Sequence, residues 1–167
     1  YYITRRATIE SHQVTFTVMA TPGHTLDHIC YYTPGHVFCG DTLFAGGCGR
    51  IFEGDADMMY QSLQKISALP SDTLIYCAHE YTQQNLAFAR LVEPNNQDLL
   101  KRIAETNKLR QLQQPTLPCT MELEHATNPF LRCQYNDVKQ AATRFSGQEI
   151  ASESTVFAII RQWKDTL

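Results

Sequence analysis

The sequence predicts a layered α/β fold, strand-rich up to about Glu93 and helical beyond it. Three observations carry that expectation. Apolar residues alternate with a period of two early in the chain, as in a half-buried strand. Strand-like and helix-like runs then follow one another from His28 to Val92. After Pro94-Asn95-Asn96 only helical spacing is found.

In order, Gln13 to Ala20 sets Val14, Phe16, Val18 and Ala20 against Gln13, Thr15, Thr17 and Met19, which predicts a strand with one buried face. His28 to Tyr32 and His36 to Cys39 are β-prone runs joined by Thr33-Pro34-Gly35, a hairpin signal. Met59, Leu63, Ile66 and Leu69 form a helical stripe from Ala56 to Leu69, stopped by Pro70. Thr73 to Cys77 is a continuous apolar run, as in a strand covered on both faces. Thr82 to Val92 places Leu86, Ala89 and Val92 on one helical face. Asp98 to Leu112 predicts a helix with Leu100, Ile103 and Leu109 inward and Lys101, Arg102, Glu105 and Lys108 outward. Shorter helices are expected near Asp137 to Phe145 and from Ser154, as N-cap, to Trp163. The division expected is residues 1–93 and 94–167.

The composition bounds function mainly by exclusion. At 167 residues, 43% hydrophobic and 19% charged, the chain has the make-up of a soluble globular protein. A formal charge of −3 gives no long-range attraction to nucleic acid or anionic membrane. No apolar run approaches the roughly 20 residues of a membrane span. The six cysteines include no C-x-x-C pair, and Cys30, Cys39 and Cys77 lie in strand-like runs, so buried free thiols and a reducing, cytoplasmic compartment are expected. The first residue is Tyr1 rather than Met, from which a preceding segment is expected.

Three strand-like runs end in a metal-capable side chain beside small residues: Pro22-Gly23-His24, Cys39-Gly40-Asp41 and Cys77-Ala78-His79. Ligands at strand ends are held by a rigid sheet yet open to solvent, and imidazole with carboxylate suits zinc, iron or manganese. Spacings of 17 and 38 residues are no local zinc signature, and by pattern alone a loop His and a turn-capping Asp serve equally well. His12, His36 and His125 stand in polar or turn contexts and receive no role. His28 is expected to point to a different face from His24, because strand-like residues surround it.

Longer motifs are more specific. Thr21-Pro-Gly-His24-Thr25, Cys39-Gly-Asp41-Thr42-Leu-Phe44, Gly46-Gly-Cys-Gly49-Arg50-Ile-Phe52-Glu-Gly54 and Cys77-Ala-His79-Glu-Tyr81-Thr82 resemble, in order and spacing, the glyoxalase II family of the metallo-β-lactamase superfamily. Asn128-Pro129-Phe130-Leu131-Arg132 and Arg161-Gln-Trp-Lys164-Asp165 are similar to that family's helical-domain motifs. The resemblance implies an α/β metallo-β-lactamase-like αββα sandwich, incomplete at its amino-terminal part, followed by a helical domain. It implies a metal-dependent thioesterase acting on S-D-lactoylglutathione in methylglyoxal detoxification. The cofactor would be two divalent ions, zinc before iron or manganese, with His24 and His79 on separate metals and Asp41 bridging them as the catalytic carboxylate. Arg50, Tyr81, Arg161 and Lys164 would hold glutathione, charge-assisted hydrogen bonds suiting its carboxylates. Without the resemblance, Arg161 and Lys164 read more readily as a solvated helix face. The complete enzyme would be a monomer with no nucleic-acid or membrane partner.

Departures are also visible. Phe52 stands where the family often has Tyr in the substrate site, removing a hydroxyl. Asp27 stands where Gly is usual. The T-H-x-H-x-D-H segment that supplies most ligands in the family is not among these 167 residues, so each metal would keep two protein ligands. The rival readings are another superfamily hydrolase (a lactonase or persulfide dioxygenase), and a metal-poor glutathione-binding fragment without activity. A chain beginning at Tyr1 is expected to be inactive, metal-poor and prone to associate.

Overall fold

A computed structural model describes residues 7–11 and 14–167. Gln13 and His12, both considered in the sequence reading, lie outside the described residues. The strands are β1 (Ala7–Ser11), β2 (Val14–Ala20), β3 (Ile29–Thr33), β4 (His36–Gly40), β5 (Leu43–Phe44), β6 (Gly47–Cys48), β7 (Leu74–Cys77) and β8 (Cys119–Thr120). The helices are α1 (Ala56–Ser67), α2 (Thr82–Val92), α3 (Gln97–Gln111), α4 (Met121–Thr127), α5 (Asn136–Ser146) and α6 (Glu153–Asp165). One six-stranded sheet runs β1-β2-β3-β4-β7-β8, antiparallel except for the parallel β4–β7 pair, and β5–β6 form a separate hairpin.

The sheet's two faces differ. Met19, Tyr32, Val37, Cys39 and Ile75 pack into a core shared with Met59, Leu63 and Ile66 of α1 and with Phe130, Val156, Phe157 and Ile160 of the helical half. This core is continuous across residue 93. The opposite face carries Phe16, Phe38 and Tyr76 as an aromatic ladder, with Phe38 set 6.1 Å from Phe16 and 4.9 Å from Tyr76. Val14 and Phe38 on that face are exposed. Of the apolar set predicted to be the buried side of β2, Val18 is buried, while Val14 is exposed and Phe16 half-buried on this face. In an αββα sandwich that side packs on a second large sheet, and the described residues build one six-stranded sheet, the short β5–β6 hairpin and the helices.

Other expectations shift locally. Strands do not end at Pro94: β8 adds an antiparallel edge to β7, pairing Ile75 with Cys119. Too short for any periodicity to register, it carries no sequence signal. In α3 the buried residues are Leu99, Arg102 and Thr106, with Leu100, Ile103 and Leu109 half-buried. Arg102 was expected outside. It lies inside because the fully buried Glu124 carboxylate of α4 pairs with it, and a hydropathy pattern cannot register an internal ion pair. The N-cap of α6 is Ser152, which accepts from Thr155 N, two residues before the expected Ser154. All six cysteines are free; five are buried and Cys77 is half-buried. No helix among the described residues is long and apolar enough to cross a membrane.

Candidate metal and substrate site

Parallel pairing of β4 and β7 closes the 38-residue gap between two of the predicted ligands. Gly40 lies opposite Cys77, so Asp41 and His79 emerge from neighbouring strand ends. His24 reaches the same edge from the β2–β3 connection, which is tied to the loop after β6 by Phe52 N–H donating to His24 O (3.1 Å). His79 Nε2 stands 3.4 Å from Asp41 Oδ1, and His24 Nε2 stands 3.9 Å from Asp41 Oδ2. Each carboxylate oxygen thus faces a different imidazole. His24 Nδ1 is 2.8 Å from Arg50 O. With its proton donated to that carbonyl, the Nε2 lone pair is turned toward Asp41, the usual way of orienting a ligating imidazole.

His28 departs from its expected placement. Its ring sits 5.9 Å from that of His24, and its Nε2 accepts from Asp41 N–H (3.2 Å). Its Nδ1 faces Thr42 Oγ1 at 3.0 Å, and Thr42 Oγ1 donates to Thr21 Oγ1 (3.1 Å). Burial, and then the neighbouring His24, lower the His28 pKa, which keeps the ring neutral and able to accept. Gly40 is what admits the ring: its φ is +53°, and a Cβ there would lie 2.9 Å from His28 Cε1 and Nε2. The sequence signal for this contact was the glycine, not the histidine spacing.

A cleft of about 510 Å³ opens beside these groups. Tyr81 stacks on His79 at 5.0 Å, Phe44 meets Tyr81 edge-on at 5.4 Å, and Phe52 tilts over His24 at 4.9 Å. Both imidazoles are therefore flanked by an aromatic ring. Cations line the far side. Arg50 is largely exposed, with Nε 3.7 Å from Asp165 Oδ1. Arg161 is 4% exposed and donates to Cys48 O (3.1 Å) and Asp165 Oδ1 (2.9 Å). Lys164 Nζ donates to Asn85 Oδ1, and burial pulls its pKa down to about 8.

Residues 80–167 match the family model described as hydroxyacylglutathione hydrolase C-terminus, and residues 3–79 match that of the metallo-beta-lactamase superfamily. The chain belongs to the hydroxyacylglutathione hydrolase family. It is 51% identical over 150 residues to a hydroxyacylglutathione hydrolase of Pseudomonas fluorescens, covering 90% of this chain and 59% of that protein. It is likewise 51% identical over 152 residues to one of Idiomarina loihiensis, covering 91% and 60%. The chain thus spans about three fifths of the length of these relatives. A metallo-beta-lactamase of Staphylococcus aureus, 19% identical, covers 98% of this chain and 43% of its own at a TM-score of 0.56, which shows the shared fold.

The metallo-β-lactamase part of a hydroxyacylglutathione hydrolase implies a divalent-metal site. His24, Asp41 and His79 fit one: two oriented imidazole nitrogens face the two oxygens of one carboxylate. They remain an open set. Among the described residues, no group of three or more His, Cys, Asp or Glu closes around a single point. Phe44, Cys48, Asn85 and Asp165 complete the site's surroundings and were not singled out in the sequence. Phe44, Cys48 and Asp165 each stand in one of the family-like motifs, whereas Asn85 carried no such signal.

Proposed function

We propose that this chain carries the glutathione-binding side and half the metal ligands of a thioesterase that converts S-D-lactoylglutathione to glutathione and D-lactate. The observation that carries the reading is the single cleft lined by Asp41, His24 and His79 at one side and by Arg50, Arg161 and Lys164 at the other. His24, Asp41 and His79 would hold two divalent cations, zinc before iron or manganese, with Asp41 serving both. Bound there, such cations supply a water of near-neutral pKa and electrophilic pull on the thioester carbonyl. Thiolate leaves readily because thiols ionise near pH 8.5, so no strong general acid is needed.

The remaining residues bind and orient. Arg50 and Lys164 offer donors for the glutathione carboxylates, and Tyr81 lines the same cleft. Phe52, 69% exposed, presents a ring without a hydroxyl and shields His24. Residues 94–167 form the helical, substrate-binding part. The protein acts as a cytoplasmic monomer without nucleic-acid or membrane partners; six free thiols suit a reducing compartment.

Hydrolysis of S-D-lactoylglutathione in the presence of zinc tests the reading. The chain alone is expected to bind little zinc and turn over slowly. Mixing it with a polypeptide carrying a T-H-x-H-x-D-H segment is expected to raise both, since metal binding drives assembly. Glutathione binding without turnover in the mixture favours the metal-poor binding reading, which the three-residue ligand set supports. No glutathione binding at all overturns the proposal.

Arg161 and Lys164 separate in a second test. Lys164→Ala is expected to raise KM for the glutathione thioester about tenfold with kcat nearly unchanged, because it removes binding remote from the reacting carbon. Arg161→Ala also strips the Cys48 carbonyl of its donor, and a thermal melt is expected to show a loss of about 1–3 kcal/mol. Equal melting losses from both substitutions would contradict this division.

A further inference from the structure

Among the described residues, no carboxylate forms an ion pair with the Lys164 ammonium. Asp165, next to it in sequence, is occupied by Arg161 and Arg50. Around Nζ also stand the Cys48 thiol of β6, the Arg161 and Arg50 guanidiniums, and the rings of Phe88 and Phe130, whose centroids lie 5.9 and 5.8 Å away. Among the described residues its one hydrogen-bond acceptor is the Asn85 amide oxygen.

Asn85 is itself locked. It is 2% exposed, and its Nδ2 donates to Ala45 O at 3.0 Å. A carbonyl can only accept and an ammonium can only donate, so these two neighbours admit a single orientation of the amide. Gly47 lies flat against it; a Cβ there would approach Asn85 Cγ to 2.6 Å. The β5–β6 hairpin thus clamps Asn85 from one side while α2 carries it from the other.

We infer that Asn85 is the positioning residue for Lys164: its fixed amide oxygen holds the ammonium at the cleft wall and leaves the other two N–H donors free for an anionic group of the ligand. The inference rests on the glutathione reading for the ligand, but not for the Asn85–Lys164 contact. Desolvation lowers the Lys164 pKa to about 8, with Arg161 and Arg50 pushing the same way and Cys48 and Asp165 opposing. A neutral acceptor with no charge of its own retains the proton while leaving the ammonium unneutralised for an incoming carboxylate.

Competitive labelling with an amine-selective reagent, read by peptide mass spectrometry across pH, gives the apparent pKa of Lys164. In the unmodified protein a value near 8 is expected. Asn85→Leu removes the acceptor and is expected to lower it, while the isosteric Asn85→Asp adds a charge and is expected to raise it. Glutathione affinity should fall about tenfold in Asn85→Leu and also fall in Asn85→Asp, whose carboxylate competes with the ligand. An Asn85 serving only to brace Ala45 would leave the Lys164 titration where it was, and that result in a folded variant overturns the inference. If Asn85→Leu does not fold, Asn85→Ala, which removes the same acceptor with less bulk, decides in its place: an unmoved Lys164 titration there overturns the inference. Failure of the unmodified protein to bind glutathione would remove the ligand assignment and leave the labelling outcome standing.

Discussion

Asp41→Ala is expected to cost on the order of 10³-fold in kcat/KM for S-D-lactoylglutathione, equivalent to about 4 kcal/mol of transition-state stabilisation. The physical reason is that its two oxygens face two different imidazoles, at 3.4 and 3.9 Å, so on the proposed reading a single truncation would remove a shared ligand from both sides of the site. His28→Ala should cost less, about 10- to 100-fold, since His28 reaches Asp41 through its backbone N–H and not through its carboxylate. The pair is measured in protein that turns over the thioester, with bound metal determined by elemental analysis. Asp41→Ala should lose metal, and His28→Ala should retain most of it. Equal losses of rate and metal would place His28 among the ligands themselves.

The largest stability effect is expected at Glu124. Its fully buried carboxylate accepts from Gly46 N–H (3.0 Å), Asn128 Nδ2 (2.7 Å) and the Arg102 guanidinium, whose Nη1 also donates to Thr127 Oγ1 (2.6 Å). Removing it by Glu124→Ala strands the Arg102 charge and the Gly46 donor in the interior, for which about 3–5 kcal/mol is expected. Chemical denaturation checks the value. Replacing both partners together, Glu124→Leu with Arg102→Met, should cost much less than the sum of the single changes, because no uncompensated charge remains. Additive losses would mean that the pair is not coupled. A consequence reaches the site: Gly46 belongs to the β5–β6 turn, so loss of Glu124 should loosen the loop that presents Cys48 and Arg50.

Much of the fold was legible because its elements are regular. The stripe of Met59, Leu63 and Ile66, the face of Leu86, Ala89 and Val92, and the hairpin at Thr33-Pro34-Gly35 all stand where periodicity and turn residues put them. The errors fall where a polar group is buried or an element is too short to repeat. Arg102 read as solvent-facing until Glu124 was found beneath it. The two residues of β8 carried no pattern. His28 was set aside by strand logic, although the preceding turn brings it under Asp41 and Gly40 leaves room for its ring.

The sequence by itself determined which residues could serve a metal and a glutathione thioester. His24, Asp41 and His79 follow strand-like runs with small neighbours, and the terminal Arg161 and Lys164 sit in a recognisable motif. For the three metal candidates that information is local, in residue type and small neighbours, whereas the two cations were marked only by their motif's resemblance to the family. Only the tertiary structure decided which of these groups meet. The β4–β7 pairing brings Asp41 to His79 across 38 residues, the β6 loop turns His24 through the Arg50 carbonyl, and Asn85 captures Lys164 from a different helix. Burial then sets apart two cations that look alike in the motif: Arg161 donates to the Cys48 carbonyl and to Asp165, while Lys164 donates to the neutral Asn85 oxygen. Such contacts depend on chain crossings and on the loss of water around each charge, which no linear pattern records.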